Sequence, residues 1–258
     1  MFLAVDAGNT KITFGFYDKD VVKDIRSLEC NKYIEPEELK AAVKSLSGDY
    51  IIDECMISSV VDELTQNLKD AISDIFNITP MLIIPQDNND IKINTPHPEK
   101  CGTDRVANAY AASKLYAQRP IIVVDSGSAT TFDIVNADNE FSGGVIMPGM
   151  ELQLKVLGEK TSKLPTLDLN NIKGDISVIS DNTEDAIYAG VVVAHAQAIQ
   201  GLIKLCEQEL GEKAFIVGTG GNINFVEKYM NERKFDVVNP HLTLEGIRLL
   251  FELKKQLI

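Results

Sequence analysis

Three aspartates sit in settings that suit phosphoryl chemistry. Asp6 opens the run Asp6-Ala7-Gly8-Asn9-Thr10, and Asp125 opens Asp125-Ser126-Gly127-Ser128-Ala129-Thr130-Thr131. In each, a glycine lets backbone N–H groups approach phosphate oxygens, while Asn9, Thr10 and Ser128 add side-chain donors. An aspartate at a strand end can hold a hydrated Mg²⁺ without touching phosphate, or coordinate a cation beside it. The same residues also make ordinary turns: Asp-x-Gly-Asn is good hairpin chemistry, and Ser and Thr can simply satisfy the backbone. The third aspartate lies in Gly102-Thr103-Asp104-Arg105, ahead of a helical stretch. Asp104 suits the first turn of a helix, but Arg105 does not. One reading makes Asp104 a general base for an acceptor hydroxyl, with Arg105 orienting the acceptor or offsetting phosphoryl charge. A helix cap with a solvated arginine is the other.

Two glycine clusters and one cap accompany them. Gly143-Gly144 and Pro148-Gly149 imply close backbone approach, either to substrate or between lobes. Gly218-Thr219-Gly220-Gly221-Asn222 follows a strand and precedes a helix, an arrangement that receives a nucleotide's ribose or phosphates. It lacks the Gly-Lys-Ser/Thr ending of a Walker A loop and the full GxGxxG spacing. Asn182-Thr183 opens a small-residue helix and is capping chemistry as it stands.

The elements that must position these residues come in two copies. Phe2 to Thr10 aligns with Ile121 to Ala129 at an offset of 125 − 6 = 119 residues, close to half of the chain. Each copy is an apolar strand, a glycine turn and a second strand (Ile12 to Tyr17; Thr130 to Val135), which reads as a hairpin. Alternating helical and strand patterns follow. Pro36 to Leu46, Leu64 to Phe76 and Arg105 to Gln118 are helical, while Cys55 to Val61 and Met81 to Ile84 are strands. Arg119-Pro120 marks the division into domains 1–118 and 119–258. The second half continues with a long small-residue helix from Asn182 to Cys206, a strand Ala214 to Val217 and a last helix Leu242 to Leu257. The fold class is α/β: a duplicated ribonuclease-H-like plan, expected to hold its site in the cleft between two lobes.

Composition narrows the function classes. The 258 residues are 45% hydrophobic and 24% charged, enough to bury substantial cores. The net charge of −13 makes nucleic acid and anionic membrane poor partners. Cys30, Cys55, Cys101 and Cys206 form no CxxC pair, and His97, His195 and His241 are scattered, so zinc has little support and free thiols are expected. The amino-terminal run meets Asp6 too soon for a signal peptide, and no apolar run approaches the ~20 residues of a membrane span. A soluble, cytoplasmic protein is the expectation.

Taken in order and spacing, these motifs resemble those of the type III pantothenate kinases, over the whole chain. The resemblance implies membership of the acetate and sugar kinase, heat-shock chaperone and actin superfamily. It also implies a homodimer that phosphorylates the primary hydroxyl of pantothenate with ATP, the first step of coenzyme A synthesis. By this resemblance Asp6, Ala7, Gly8, Asn9, Thr10, Lys11, Ile12 and Thr13 form the ATP-phosphate loop, and Ser128 contacts ATP. Gly102, Thr103, Asp104 and Arg105 form the pantothenate segment with Asp104 as proton acceptor, and Thr183 contacts the substrate. Asp125 is implied as the ligand of a monovalent cation, K⁺ or NH₄⁺, beside the Mg²⁺ that accompanies ATP. The small residues Ala189, Gly190, Ala194 and Ala196 offer a face for close packing between subunits. Two positions depart from the family pattern. Ser128 stands where Thr is usual, and Thr95 stands where a Tyr precedes the Pro98 segment; the lost aromatic wall bears on pantothenate affinity. A kinase for another small hydroxyl acceptor and a non-catalytic regulatory paralogue are the rival readings, the latter disfavoured by the presence of all three aspartates.

Overall fold

The computed structural model describes residues 1–31, 33–87 and 90–257. The chain forms two compact units: Met1–Tyr116 together with the residues from His241 on, and Ala117–Pro240. The last helix therefore belongs to the first unit, not to the second half as the sequence reading has it. Packing explains this. Gly246 presses on Ala107 so closely that a Cβ would lie 2.1 Å from the Ala107 carbonyl oxygen, and Phe251 stacks on Phe2 at 4.6 Å.

In the first unit, β1 (Phe2–Ala7), β2 (Lys11–Asp18) and β3 (Val21–Glu29) form an antiparallel meander. Helix α1 (Pro36–Ser47) leads to β4 (Glu54–Ser59), and α2 (Asp62–Phe76) to β5 (Met81–Leu82). The sheet order is β3-β2-β1-β4-β5, with β4 parallel to β1. Leu39 and Val43 of α1 and Leu64, Leu68 and Ile72 of α2 close on Leu3, Val5, Phe14 and Ile57 of the sheet, one apolar cluster. These are i, i+4 positions, so a single helical stripe covers a sheet face. A two-residue strand, β6 (Lys92–Ile93), precedes α3 (Thr103–Leu115).

The second unit repeats the plan. Strands β7 (Ile121–Ser126), β8 (Ala129–Val135) and β9 (Glu140–Pro148) are again an antiparallel meander. After α4 (Met150–Lys160) come α5 (Thr183–Tyr188), a π-helical turn (Ala189–Val193) and α6 (Ala194–Leu210). Then β10 (Phe215–Thr219), α7 (Ile223–Tyr229) and β11 (Val237–Val238) complete it. The order β9-β8-β7-β10-β11 matches β3-β2-β1-β4-β5 position for position. Gly143 and Gly144 take φ of 89° and 151° beside an irregularity in the β8–β9 register. Their first role is thus a strand bulge that other residues would strain to form.

One expectation changes. The helix Thr183–Leu210 is long and apolar enough to cross a membrane by length and composition. The sequence reading found no such run. Over half of its most apolar stretch is buried inside the protein, and two of the helix's buried polar residues are bonded there. Gln200 accepts from the backbone N–H groups of Asn231, Glu232 and Arg233 at 2.7–3.1 Å. Glu207 pairs with Lys213 and Arg233. That is the behaviour of a core helix.

Candidate active site

The residues singled out above fall into two clusters, one in each unit. In the first, β1 and β4 run parallel with Asp6 level with Ser58, so both side chains stand at the carboxyl ends of adjacent strands. Ligands of open α/β sheets collect beyond such ends. Helix α3 is tied to the same place. The Thr103 hydroxyl donates to the Ser59 carbonyl at 3.0 Å and accepts from the buried Ser58 hydroxyl at 2.9 Å. Next in the chain, Asp104 folds back on the first turn and accepts the Arg105 backbone N–H at 2.8 Å. A Cβ at Gly102 would lie 2.5 Å from Asp104 Oδ1, so a larger residue there would push that carboxylate aside. Burial pushes the Asp104 carboxyl above the ordinary range, and the N–H and charge of Arg105 offset this only in part. A raised carboxylate at a strand-end site is the tuning a general base requires.

The Asp6 loop divides into two kinds of residue. Ala7 and Ile12 are buried in the core and can offer a ligand only their backbone. Asn9, Thr10 and Lys11 are exposed, Gly8 is half-buried, and Thr13 lies opposite Asp6 on β2. The Gly8 N–H donates to the Lys11 carbonyl at 3.0 Å, and the Thr10 carbonyl accepts from Cys30 at 2.8 Å, which fixes the turn. The nearest atom to a Cβ at Gly8 would be the Lys11 carbonyl oxygen at 3.4 Å, so folding itself asks little for glycine there. Thr95 keeps its hydroxyl buried without a partner among the described residues.

In the second unit, Asp125 on β7 is flanked by Thr131 on β8 and Thr219 on β10. Cross-strand neighbours share a face, so a carboxylate and two hydroxyls line up. The Thr219 hydroxyl is buried and has no partner among the described residues, as is true of Ser126 on the opposite face. The Ser128 turn closes through Gly127 N–H to the Ala129 carbonyl at 3.0 Å, and the Ser128 carbonyl accepts from Gly149 N–H at 3.1 Å. A Cβ at Gly149 would lie 2.2 Å from the Gly127 carbonyl oxygen, and one at Gly220 would lie 2.4 Å from Asp125 Oδ1. Gly220 also has φ of 92°. Both glycines press backbone against this turn. Gly221, by contrast, is exposed with open space around it. Thr183 starts α5, where the Asn182 side chain caps the Asp185 N–H at 2.9 Å. It lines a cavity of about 740 Å³ with Pro148, Gln153 and Gly190.

Sequence reasoning missed Ser58, whose signal was a serine pair ending an apolar strand. It also missed Gln153 and His195, which carry no local motif. They meet from helices 42 positions apart.

Comparison with known proteins bears on this arrangement. A family model described as type III pantothenate kinase matches residues 2–205. The chain belongs to the type III pantothenate kinase family. A type III pantothenate kinase of Frankia alni is 34% identical over 98% of this chain and 99% of its own length. Among solved structures, a Campylobacter jejuni protein described as a Baf family transcriptional activator matches at a TM-score of 0.62 and 19% identity, covering 98% of this chain and 99% of that one. The activator of the 2-hydroxyisocaproyl-CoA dehydratase of Clostridium difficile, solved with bound ADPNP, matches at 0.58 and 11%, covering 99% and 96%. At such identities the structures establish the fold alone. That fold is the actin-like α/β plan with two lobes.

Proposed function

We propose that this protein transfers the γ-phosphoryl group of ATP to the primary hydroxyl of pantothenate, the first step of coenzyme A synthesis. The observation that carries the reading is Asp104. Its carboxylate is held at the head of α3 by Gly102 and by the Thr103–Ser58 contact, with its pKa pushed up by burial. Asp104 takes the hydroxyl proton as the acceptor oxygen attacks the γ-phosphorus and ADP leaves. Arg105 and Thr183 orient pantothenate. The backbone and exposed side chains from Asp6 to Thr13, together with Ser128, bind ATP phosphates.

A kinase that uses ATP requires a divalent metal such as Mg²⁺, which travels with the nucleotide. Asp125 is assigned a monovalent cation, K⁺ or NH₄⁺. The fit rests on its donors: a carboxylate, the orphaned Thr219 hydroxyl on the same face and Thr131 beside it are all hard oxygen ligands. We assign a homodimer as the working state. Its support is an open apolar groove where Ile179 and Val178 are 91% and 71% exposed beside Gly190 and Ala194. Such exposure is costly unless covered. A cytoplasmic location follows from the substrates.

ADP release by the purified protein, titrated with pantothenate in the presence of Mg²⁺ and K⁺, tests the reading directly. Saturable, pantothenate-dependent release is expected. None at millimolar pantothenate, with ATP bound, would transfer the proposal to another hydroxyl acceptor.

A further inference from the structure

The long helix of the second unit changes pitch at Ala189–Val193, the π-helical turn between α5 and α6. A π turn absorbs one extra residue. Thr183 and His195 are twelve positions apart. With one residue absorbed they are spaced like i and i+11, about three α-helical turns, which puts them on nearly one face. His195 lies inward and is left only 2% exposed. Its Nε2 lies 2.9 Å from Thr130 Oγ1, and its Nδ1 lies 2.9 Å from Gln153 Nε2. The Gln153 amide also donates to the Pro148 carbonyl at 2.9 Å.

An amide nitrogen has only hydrogens to offer, so Nδ1 accepts and the ring proton sits on Nε2, donating to Thr130. The imidazole is neutral, and burial favours that form. These contacts close a circuit around the second turn. Thr130 is paired with Ser126 across it; the Ser128 carbonyl accepts from Gly149; Pro148 binds Gln153; Gln153 binds His195; His195 binds Thr130. Apolar residues of similar shape would serve stability as well as a buried polar chain does. What they could not do is fix the turn's orientation.

We propose that His195 is a positioning residue for ATP, holding the Ser128 turn through Thr130 and Gln153 in the form that receives phosphate oxygens. This rests on the kinase reading above, with Ser128 as an ATP contact. The test uses the full-length protein and two readouts: calorimetric binding of Mg²⁺–ATP alone, and steady-state kinetics. His195→Ala is expected to raise the ATP dissociation constant and KM about tenfold, with kcat and the pantothenate KM changed less than about threefold. His195→Gln, which can still donate to Thr130, is expected to recover most of the loss. Equal falls in thermal midpoint for both variants, with ATP affinity of the folded protein unchanged, would overturn the proposal. If His195→Ala does not fold, Thr130→Val and Thr130→Ser decide: Val must loosen ATP and Ser must not, and wild-type affinity in Thr130→Val overturns it equally. A wild type that binds ATP but leaves pantothenate unphosphorylated sinks only the acceptor, and His195 still stands or falls on ATP affinity. A wild type that binds no ATP sinks both.

Discussion

The two units share one strand order but spend their strand ends differently. In the first, the hydroxyl level with the aspartate is Ser58, and it is bonded to Thr103, which fastens a helix bearing the candidate base. In the second, the hydroxyl level with the aspartate is Thr219, and it has no partner among the described residues. The first turn spans Gly8 to Lys11 between the paired Ala7 and Ile12; the second spans only Gly127 to Ala129 between Ser126 and Thr130. The first is held by its own backbone and by β3, while the second is braced by two close-packed glycines and the Gln153–His195–Thr130 chain. Duplication supplied one scaffold. The divergence lies in how each copy completes its strand ends: in the first the hydroxyl is spent on fastening α3, and in the second it is left facing the aspartate, which on the proposed reading serves a cation.

The sharpest way to break this division is to neutralise the base. Asp104→Asn keeps the shape but cannot take the proton, so kcat is expected to fall about 10²–10⁴-fold with ATP affinity nearly intact. Near-normal turnover would remove Asp104 from the chemistry and with it the contrast between units. Since its pKa is raised in the folded state, the protonated form carries the stability. That contribution is complete below the unfolded pKa and is lost as pH rises through the folded one. Asp104→Asn is therefore expected to melt higher than wild type at neutral pH, with the gap closing on acidification. The acid limb of wild-type kcat is expected above the ordinary carboxylate range, and it should vanish in the variant.

Glycine substitutions separate the two turns by stability. Gly220→Ala meets Asp125 at 2.4 Å and a φ of 92° at once, so a loss of about 3 kcal/mol is expected in denaturant unfolding. Gly8→Ala meets only the 3.4 Å contact with Lys11 and is expected to cost less than about 1 kcal/mol while still weakening ATP. Equal losses at the two positions would mean that the first turn is as tightly demanded by the fold as the second.

The sequence made the duplicated hairpins visible because alternation and turn chemistry are local. It made the three aspartates visible because each sits two residues from a glycine. What it could not display was the completion of each end. Ser58 and Thr103 meet across 45 positions, and His195 reaches Thr130 across 65. The last helix reads correctly as a helix, from Leu242 to Leu257, yet its placement in the first unit depends on Gly246 meeting Ala107. No window of neighbouring residues contains that fact. The polar residues buried in Thr183–Leu210 are illegible for the same reason: Gln200 and Glu207 find partners elsewhere in the chain.

Cation dependence probes the second unit alone. Activity is expected to rise about tenfold when K⁺ replaces Na⁺, and Asp125→Asn is expected to abolish that response. Chelation of divalent metal is expected to stop turnover in both proteins. An unchanged K⁺ response in Asp125→Asn would free the second aspartate from cation binding and leave Thr219 without a reason to stay unpartnered.

The smallest effects carry the finest test of the comparison, a matched pair of threonines. Thr103→Val leaves the buried Ser58 hydroxyl without an acceptor and frees the Ser59 carbonyl, so a loss of about 1–3 kcal/mol is expected. Thr219→Val removes a hydroxyl that bonds to nothing among the described residues, so in K⁺-free buffer its unfolding midpoint is expected to match or slightly exceed that of wild type. If Thr219 is a cation ligand, adding K⁺ should stabilise wild type more than Thr219→Val, because only wild type gains the extra oxygen. A K⁺ response of equal size in both would assign the cation to Asp125 without Thr219. A clear loss of stability for Thr219→Val in K⁺-free buffer would mean that a bound water already satisfies the hydroxyl, and the two strand ends would then be completed alike.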